Sequence, residues 1–230
     1  MNRSDTEPAG TLWLPDEAAV ADLATLVGRA RRLDPDGAAR LVAHGSVLAV
    51  YVCGLHGGGG PTVLGLRTVR LAEPSDVDAT VALAALGDRL ARKGQHVPNG
   101  SGPRMPLDVP AARVMDAGWA GMTPPRAGWE PVGTLSADVL ANAARAGIAE
   151  VAAGAGTGSG AHAVTRLRAA VWGRPLPGTD DVPTGMALTA DALAFLPGPG
   201  QPEALLFRSG RWVRLTTSRG HVLARTPILP

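Results

Sequence analysis

The sequence predicts an α+β fold, antiparallel sheets backed by helices, and three observations carry that prediction. Apolar residues recur at helical spacing in several separate stretches, short apolar or alternating runs lie between and after them, and the connections joining these runs are short and local. The β-α-β rhythm of a doubly wound parallel sheet is missing, which excludes the usual dinucleotide fold. The pattern also suggests two pseudo-repeated helix-plus-meander units.

Residues 1–14 read as a disordered N-terminal extension, with Trp13 placed to staple the helix that follows. That helix begins near Asp16, after Pro15, and carries Val20, Leu23, Val27 and Ala30 inward until Asp34-Pro35-Asp36-Gly37 ends it at Leu33. Two strands follow, Arg40 to Ala43 and Val47 to Cys53, parted by His44-Gly45-Ser46, and a third spans Thr62 to Leu71. Ser75 with Asp78 forms an acidic capping box for a helix whose buried stripe is Ala79, Leu83, Leu86 and Leu90. Residues 15–93 thus form an α-β-β-β-α unit.

Residues 94–135 are rich in Pro and Gly with weak periodicity, and read as an irregular linker that Trp119 and Trp129 could pin to a folded part. Ser136 caps a third helix with Leu140, Ala144, Ile148 and Val151 inward, and the glycines from Gly154 to Gly160 break it as a hinge. A short helix, His162 to Trp172, precedes strands Met186 to Leu196, Ala204 to Arg208, Arg211 to Thr216 and His221 to Arg225. Residues 136–230 are therefore helices followed by an antiparallel meander. A duplication is suggested by Leu41, Ala43 and Arg67-Thr68-Val69-Arg70-Leu71, which resemble Leu188, Ala190 and Arg211-Trp212-Val213-Arg214-Leu215.

Composition narrows the function classes. Among 230 residues, 22 basic and 20 acidic side chains nearly balance, and the lone Cys53 cannot form an internal disulfide, which points to a reducing, cytosolic setting. No signal-like segment opens the chain, and the longest apolar run, Val47 to Cys53, is too short to span a bilayer. Forty alanines and a single lysine, Lys93, reflect a compositional bias that lowers the weight of any Ala stripe or Arg patch. The charge distribution says more: from Ala204 onward there are five Arg and no acid.

The string Cys53-Gly54-Leu55-His56-Gly57-Gly58-Gly59-Gly60 joins a nucleophile, a base and a glycine loop able to aim N–H groups at an anion. His56-Gly57-Gly58-Gly59 resembles the oxyanion loop of lipases and esterases, but no Gly-x-Ser-x-Gly elbow accompanies it, so the resemblance carries no activity. A metal site at Cys53 and His56 would need distant His44, His96, His162, His221 or a carboxylate, and none is expected. Set against catalysis is a buried Cys beside a hairpin loop, and the balance favours that reading. Asp34-Pro35-Asp36 and Asp180-Asp181 are paired carboxylates among turn formers, where Asp serves the backbone.

The second candidate is the C-terminal ribbon. With Ser209-Gly210 as the turn, Arg208 faces Arg211 and Phe207 faces Trp212, and Arg208, Arg211, Trp212, Arg214, Arg219 and Arg225 could engage nucleic acid. A solvated Arg face with Trp212 in the core is the competing reading. The expectation is a cytosolic, non-enzymatic protein-binding or assembly module, partnered by another protein or by itself, without cofactor or membrane. Nucleic-acid binding by the ribbon and a small-molecule enzyme centred on Cys53 and His56 are the alternatives.

Overall fold

The computed structural model describes residues 10–92, 104–155, 160–198 and 201–225. The chain divides into two compact units, one of residues 1–52 and 66–121, the other of residues 53–65 and 122–230. Each combines helices with antiparallel sheet, as the sequence predicts.

In the first unit, β1 (Thr11–Leu14) pairs antiparallel with β4 (Met105–Asp108), burying Leu12, Leu14 and Leu107. The sequence led to an unstructured extension and a linker at these places. Two inward residues per segment are too few to announce a strand, and the pairing forms only where the two segments meet. Helix α1 (Glu17–Leu33) starts at Asp16, whose side chain accepts from the Ala19 N–H at 2.8 Å, a cap worth ~1 kcal/mol. It buries Leu23, Leu26, Val27 and Ala30 against α2 (Leu83–Ala91), which contributes Leu83, Leu86 and Leu90.

The long strands β2 (Ala38–Leu55) and β3 (Thr62–Ala82) depart most from expectation. Strand β2 is one element, its burial alternation interrupted by exposed residues 44–47 where a turn was expected. Strand β3 runs eleven residues past Leu71, and the predicted capping box is corrected: Asp78 accepts from Arg40 Nε and Nη2 at 2.9 and 2.7 Å instead of capping a helix. The inward positions there, Glu73, Ser75, Val77, Ala79 and Val81, recur every second residue, the period of a strand. Helix α2 begins only at Leu83, whose N–H donates to the Gly37 carbonyl.

The second unit holds the ends of β2 and β3, residues 53–55 and 62–65, and the strands β8 (Gly220–Arg225), β7 (Trp212–Thr217), β6 (Ala204–Ser209) and β5 (Glu130–Leu135), which neighbour one another in that order. Helix α3 (Ala137–Gly154) is capped by Ser136 as predicted, but Ile148 is exposed and Gly147 takes the inward position. A Cβ on Gly147 would come within 2.3 Å of the Trp172 ring on α4 (Ala161–Gly173), so only glycine lets these helices approach.

The expected strand Met186 to Leu196 is instead α5 (Gly185–Ala192). Short apolar runs buried on all sides do not distinguish helix from strand, and here Thr189 Oγ1 donates to the Gly185 carbonyl one helical turn back. The helix closes with Phe195 N–H on Ala190 O and Ala194 N–H on Asp191 O, the paired bonds of a left-handed C-terminal cap, with Ala194 at φ +57. The proposed duplication therefore does not match residue by residue: Leu41 and Ala43 lie in β2, while Leu188 and Ala190 lie in α5. What the two units share is a helix-and-sheet composition.

Candidate functional site

Both candidates named from the sequence fall in the second unit. In the loop after β2, Gly57, Gly58 and Gly59 have φ of +81, +64 and +79, and the Gly60 N–H returns to the Gly57 carbonyl at 3.2 Å. Side chains rarely adopt that backbone. Close packing adds a second demand, because a Cβ on Gly58 would lie 2.7 Å from Thr165 on α4, and one on Gly54 would lie 2.2 Å from the buried Thr189 on α5. The glycines thus seat the hairpin end against the helices. His56 is exposed, its Nδ1 3.0 Å from Thr62 Oγ1, and Cys53 is half-buried. Among the described residues, no three His, Cys, Asp or Glu side chains gather as a metal site; His96 lies outside them.

The two carboxylate pairs differ: the first serves its own turn, as expected, whereas Asp181 does not serve the turn backbone but reaches an arginine on β6. Asp34 accepts from the Asp36 N–H within the turn after α1, and Asp181 binds Arg208 through two contacts of 2.6 Å. That hydrogen-bonded pair holds the Arg208 guanidinium above its ordinary pKa.

The arginine ribbon differs from expectation in register. Ser209 stands opposite Trp212, Arg208 opposite Val213 and Phe207 opposite Arg214, so the two-residue loop is Gly210-Arg211. Arg208 therefore does not face Arg211, nor Phe207 Trp212. Gly210, with φ +54, supplies the first loop position, where a tight hairpin turn calls for glycine. The slip brings Arg214 beside Phe207, its guanidinium carbon 4.6 Å from that ring centre and 4.5 Å from the centre of Trp129. Trp129 is held by its indole N–H, which donates to the Pro125 carbonyl at 2.9 Å. Burial pushes the Arg214 pKa below its ordinary value.

The other ribbon residues lie apart from this cluster. Trp212 is buried, Arg225 stands opposite it on β8, Arg211 is exposed in the β6-β7 loop, and Arg219 is exposed in the turn at the far end of β7. His221 Nδ1 lies 3.0 Å from Thr216 Oγ1. On the same sheet face as Phe207 and Arg214, Leu205 is 47% exposed; Val132, at the register shift between Pro131 and Gly133 on β5, is equally open. Leu205 and Val132 were not singled out from the sequence, and Trp129 was read only as a pin for the linker. Trp129 lies in the stretch expected to be linker, and exposure on a strand depends on pairing that no local pattern reveals.

Residues 7–121 match the family described as domain of unknown function (DUF8010), and residues 124–229 match the domain of unknown function (DUF8185). No curated protein matches the chain. Among solved structures, a protein from Eubacterium rectale ATCC 33656, provisionally assigned as a DNA polymerase III beta subunit, is similar with a TM-score of 0.53 at 9% identity, over 94% of this chain and 64% of its own. The DNA polymerase sliding clamps of Caulobacter crescentus and Pseudomonas aeruginosa give TM-scores of 0.46 and 0.45 at 14% and 12% identity. Those two matches cover 94% and 96% of this chain and 65% of each clamp. The chain spans less than two thirds of each of these proteins, and the first likeness is one of fold.

Proposed function

The chain belongs to the family of domain of unknown function DUF8010, which matches half its length, and on that premise we propose that it is a non-enzymatic module that binds another protein or a second copy of itself. The observation that carries this reading is the sheet face of the second unit on which Leu205 lies open on the same side as Arg214, with the exposed Val132 at the irregular stretch of the neighbouring β5. Strand β5 ends its sheet among the described residues, but Pro131 and the register shift spoil its edge for pairing, so the face is the better docking surface. Support comes also from the fold, which is similar to that of a protein provisionally assigned as a subunit of a polymerase. No helix among the described residues is long and apolar enough to cross a membrane.

A photo-crosslinking amino acid placed at Leu205 in the full chain tests this reading, with Met115, 90% exposed in the first unit, as the control position. Discrete protein adducts at Leu205 and none at Met115 are expected. Identical adducts at both positions, or none, would remove the reading. A second reading, nucleic-acid binding through Arg208, Arg211, Trp212, Arg214, Arg219 and Arg225, draws on the words DNA polymerase in the name of the similar protein and on Arg211 and Arg225 lying towards the same end of β7. It calls for a salt-dependent shift of labelled DNA that weakens in an Arg211→Ala, Arg214→Ala variant. The enzyme reading needs a Cys53 thiol that reacts well below the ordinary cysteine pKa.

A further inference from the structure

Among the described residues two arginines lie over aromatic rings, and their difference is informative. Arg104, in the first unit, sits 4.6 Å from the Trp13 ring centre and is ion-paired with Glu73. Arg214, in the second, sits over Trp129 and Phe207, and no carboxylate or other acceptor meets it among the described residues. The Nε of both is buried without a partner. Aromatic faces attract a guanidinium through their quadrupole but leave its charge in place, and a charge drawn out of water calls for an anion. In the first unit the chain supplies that anion as Glu73. In the second no anion among the described residues does so for Arg214, although it is only half-buried and remains within reach of a partner.

The geometry points to Arg214 as the seat for an Asp or Glu carboxylate on a short extended segment of another protein, whose apolar side chain two residues away covers Leu205. This rests on the protein-binding reading above and specifies the partner. The spacing fits: Phe207 is opposite Arg214, so Leu205 is its diagonal neighbour at about 7–8 Å, close to the separation of alternate residues in an extended chain. A phosphate would satisfy the charge equally, but a nucleic acid would also want an open ring for its bases. Here Arg214 already covers Trp129 and Phe207, and Trp212 is buried, while the exposed neighbour Leu205 is branched and apolar. A peptide carboxylate is therefore favoured over a nucleic-acid backbone.

The test uses the full chain and three fluorescein-labelled probes followed by anisotropy: a dodecapeptide of repeated Glu-Ser-Leu, its Gln-Ser-Leu counterpart, and an oligothymidylate of similar length. The acidic peptide should bind at least about tenfold tighter than the glutamine peptide, and Arg214→Gln and Leu205→Ser should each weaken it about tenfold or more. Should Arg214→Gln fail to fold, Leu205→Ser at an exposed position and the comparison of the two peptides on the unaltered chain decide the matter. Failure of the acidic peptide to bind, binding indifferent to both substitutions, or oligothymidylate binding that is lost with Arg214→Gln would overturn the proposal. If crosslinks at Leu205 persist while the acidic peptide fails, the protein-binding reading stands and the acidic partner falls.

Discussion

The two units secure themselves by opposite means. In the first, the partly buried arginines Arg40, Arg67 and Arg104, with side chains 16%, 25% and 20% exposed, each hold a carboxylate from a distant part of the chain, Asp78, Asp22 and Glu73. Its helices meet without strain, for a Cβ on Gly87 of α2 would find nothing closer than Val27 Cγ1 at 3.5 Å. In the second, the ion-paired arginines Arg174 and Arg208 are the more open ones, 57% and 42% exposed, while Arg214 has aromatic rings and no acid among the described residues. There the helices are closed at Gly147 by contact too tight for any side chain. The difference teaches that the first unit meets these partly buried arginines with its own carboxylates, whereas in the second Arg214, set against aromatic rings, meets none among the described residues.

Substitutions can sharpen or break this contrast. The largest effect is expected at Gly147: Gly147→Ala overpacks α3 against the buried Trp172 and should cost about 1–3 kcal/mol in urea unfolding, while Gly87→Ala should gain ~0.5–1 kcal/mol. Equal outcomes would mean that the helix contacts do not differ. Next comes Arg40→Met, which abandons Asp78 and the Ala120 carbonyl and should cost about 1–2 kcal/mol, moderated because Asp78 is itself well exposed. The Asp78 hydrogen bond that raises the Arg40 pKa is the interaction being removed.

Arg214→Met strands no acid and should shift stability by less than about 1 kcal/mol in either direction. A loss beyond ~2 kcal/mol would show that Arg214 is compensated within the folded chain. The smallest effect concerns Glu150, whose pKa is lowered first by its hydrogen bond from Arg174. A carboxylate with a depressed folded pKa contributes its stability in full above the ordinary glutamate range and loses it as pH falls through the depressed value. The difference in melting temperature between the unaltered protein and Glu150→Gln should therefore shrink on acidification.

Helix starts were legible because a cap is a local device: Asp16 and Ser136 each bind an N–H three residues on, and both starts can be read from the sequence. The terminal meander was legible in its elements and misread in its register, since either Ser209-Gly210 or Gly210-Arg211 can close the turn. Asp78 was misread because its partner Arg40 lies 38 residues away, and α5 because a run buried on every side shows no period. The glycine loop stood out as a string, but its reason, contact with Thr165 and Thr189, lies in α4 and α5. The Trp129-Arg214-Phe207 cluster depends on register and on a residue outside any evident periodicity, so nothing local announced it.

The claim that Arg214 holds a partner on the sheet face of the second unit is tested most directly by crosslinking from Leu205 in the unaltered chain and in Arg214→Gln, side by side. The account predicts a protein adduct that forms in the first and fades in the second while the fold, followed by circular dichroism, is unchanged. The same adduct at the same yield in both would contradict it.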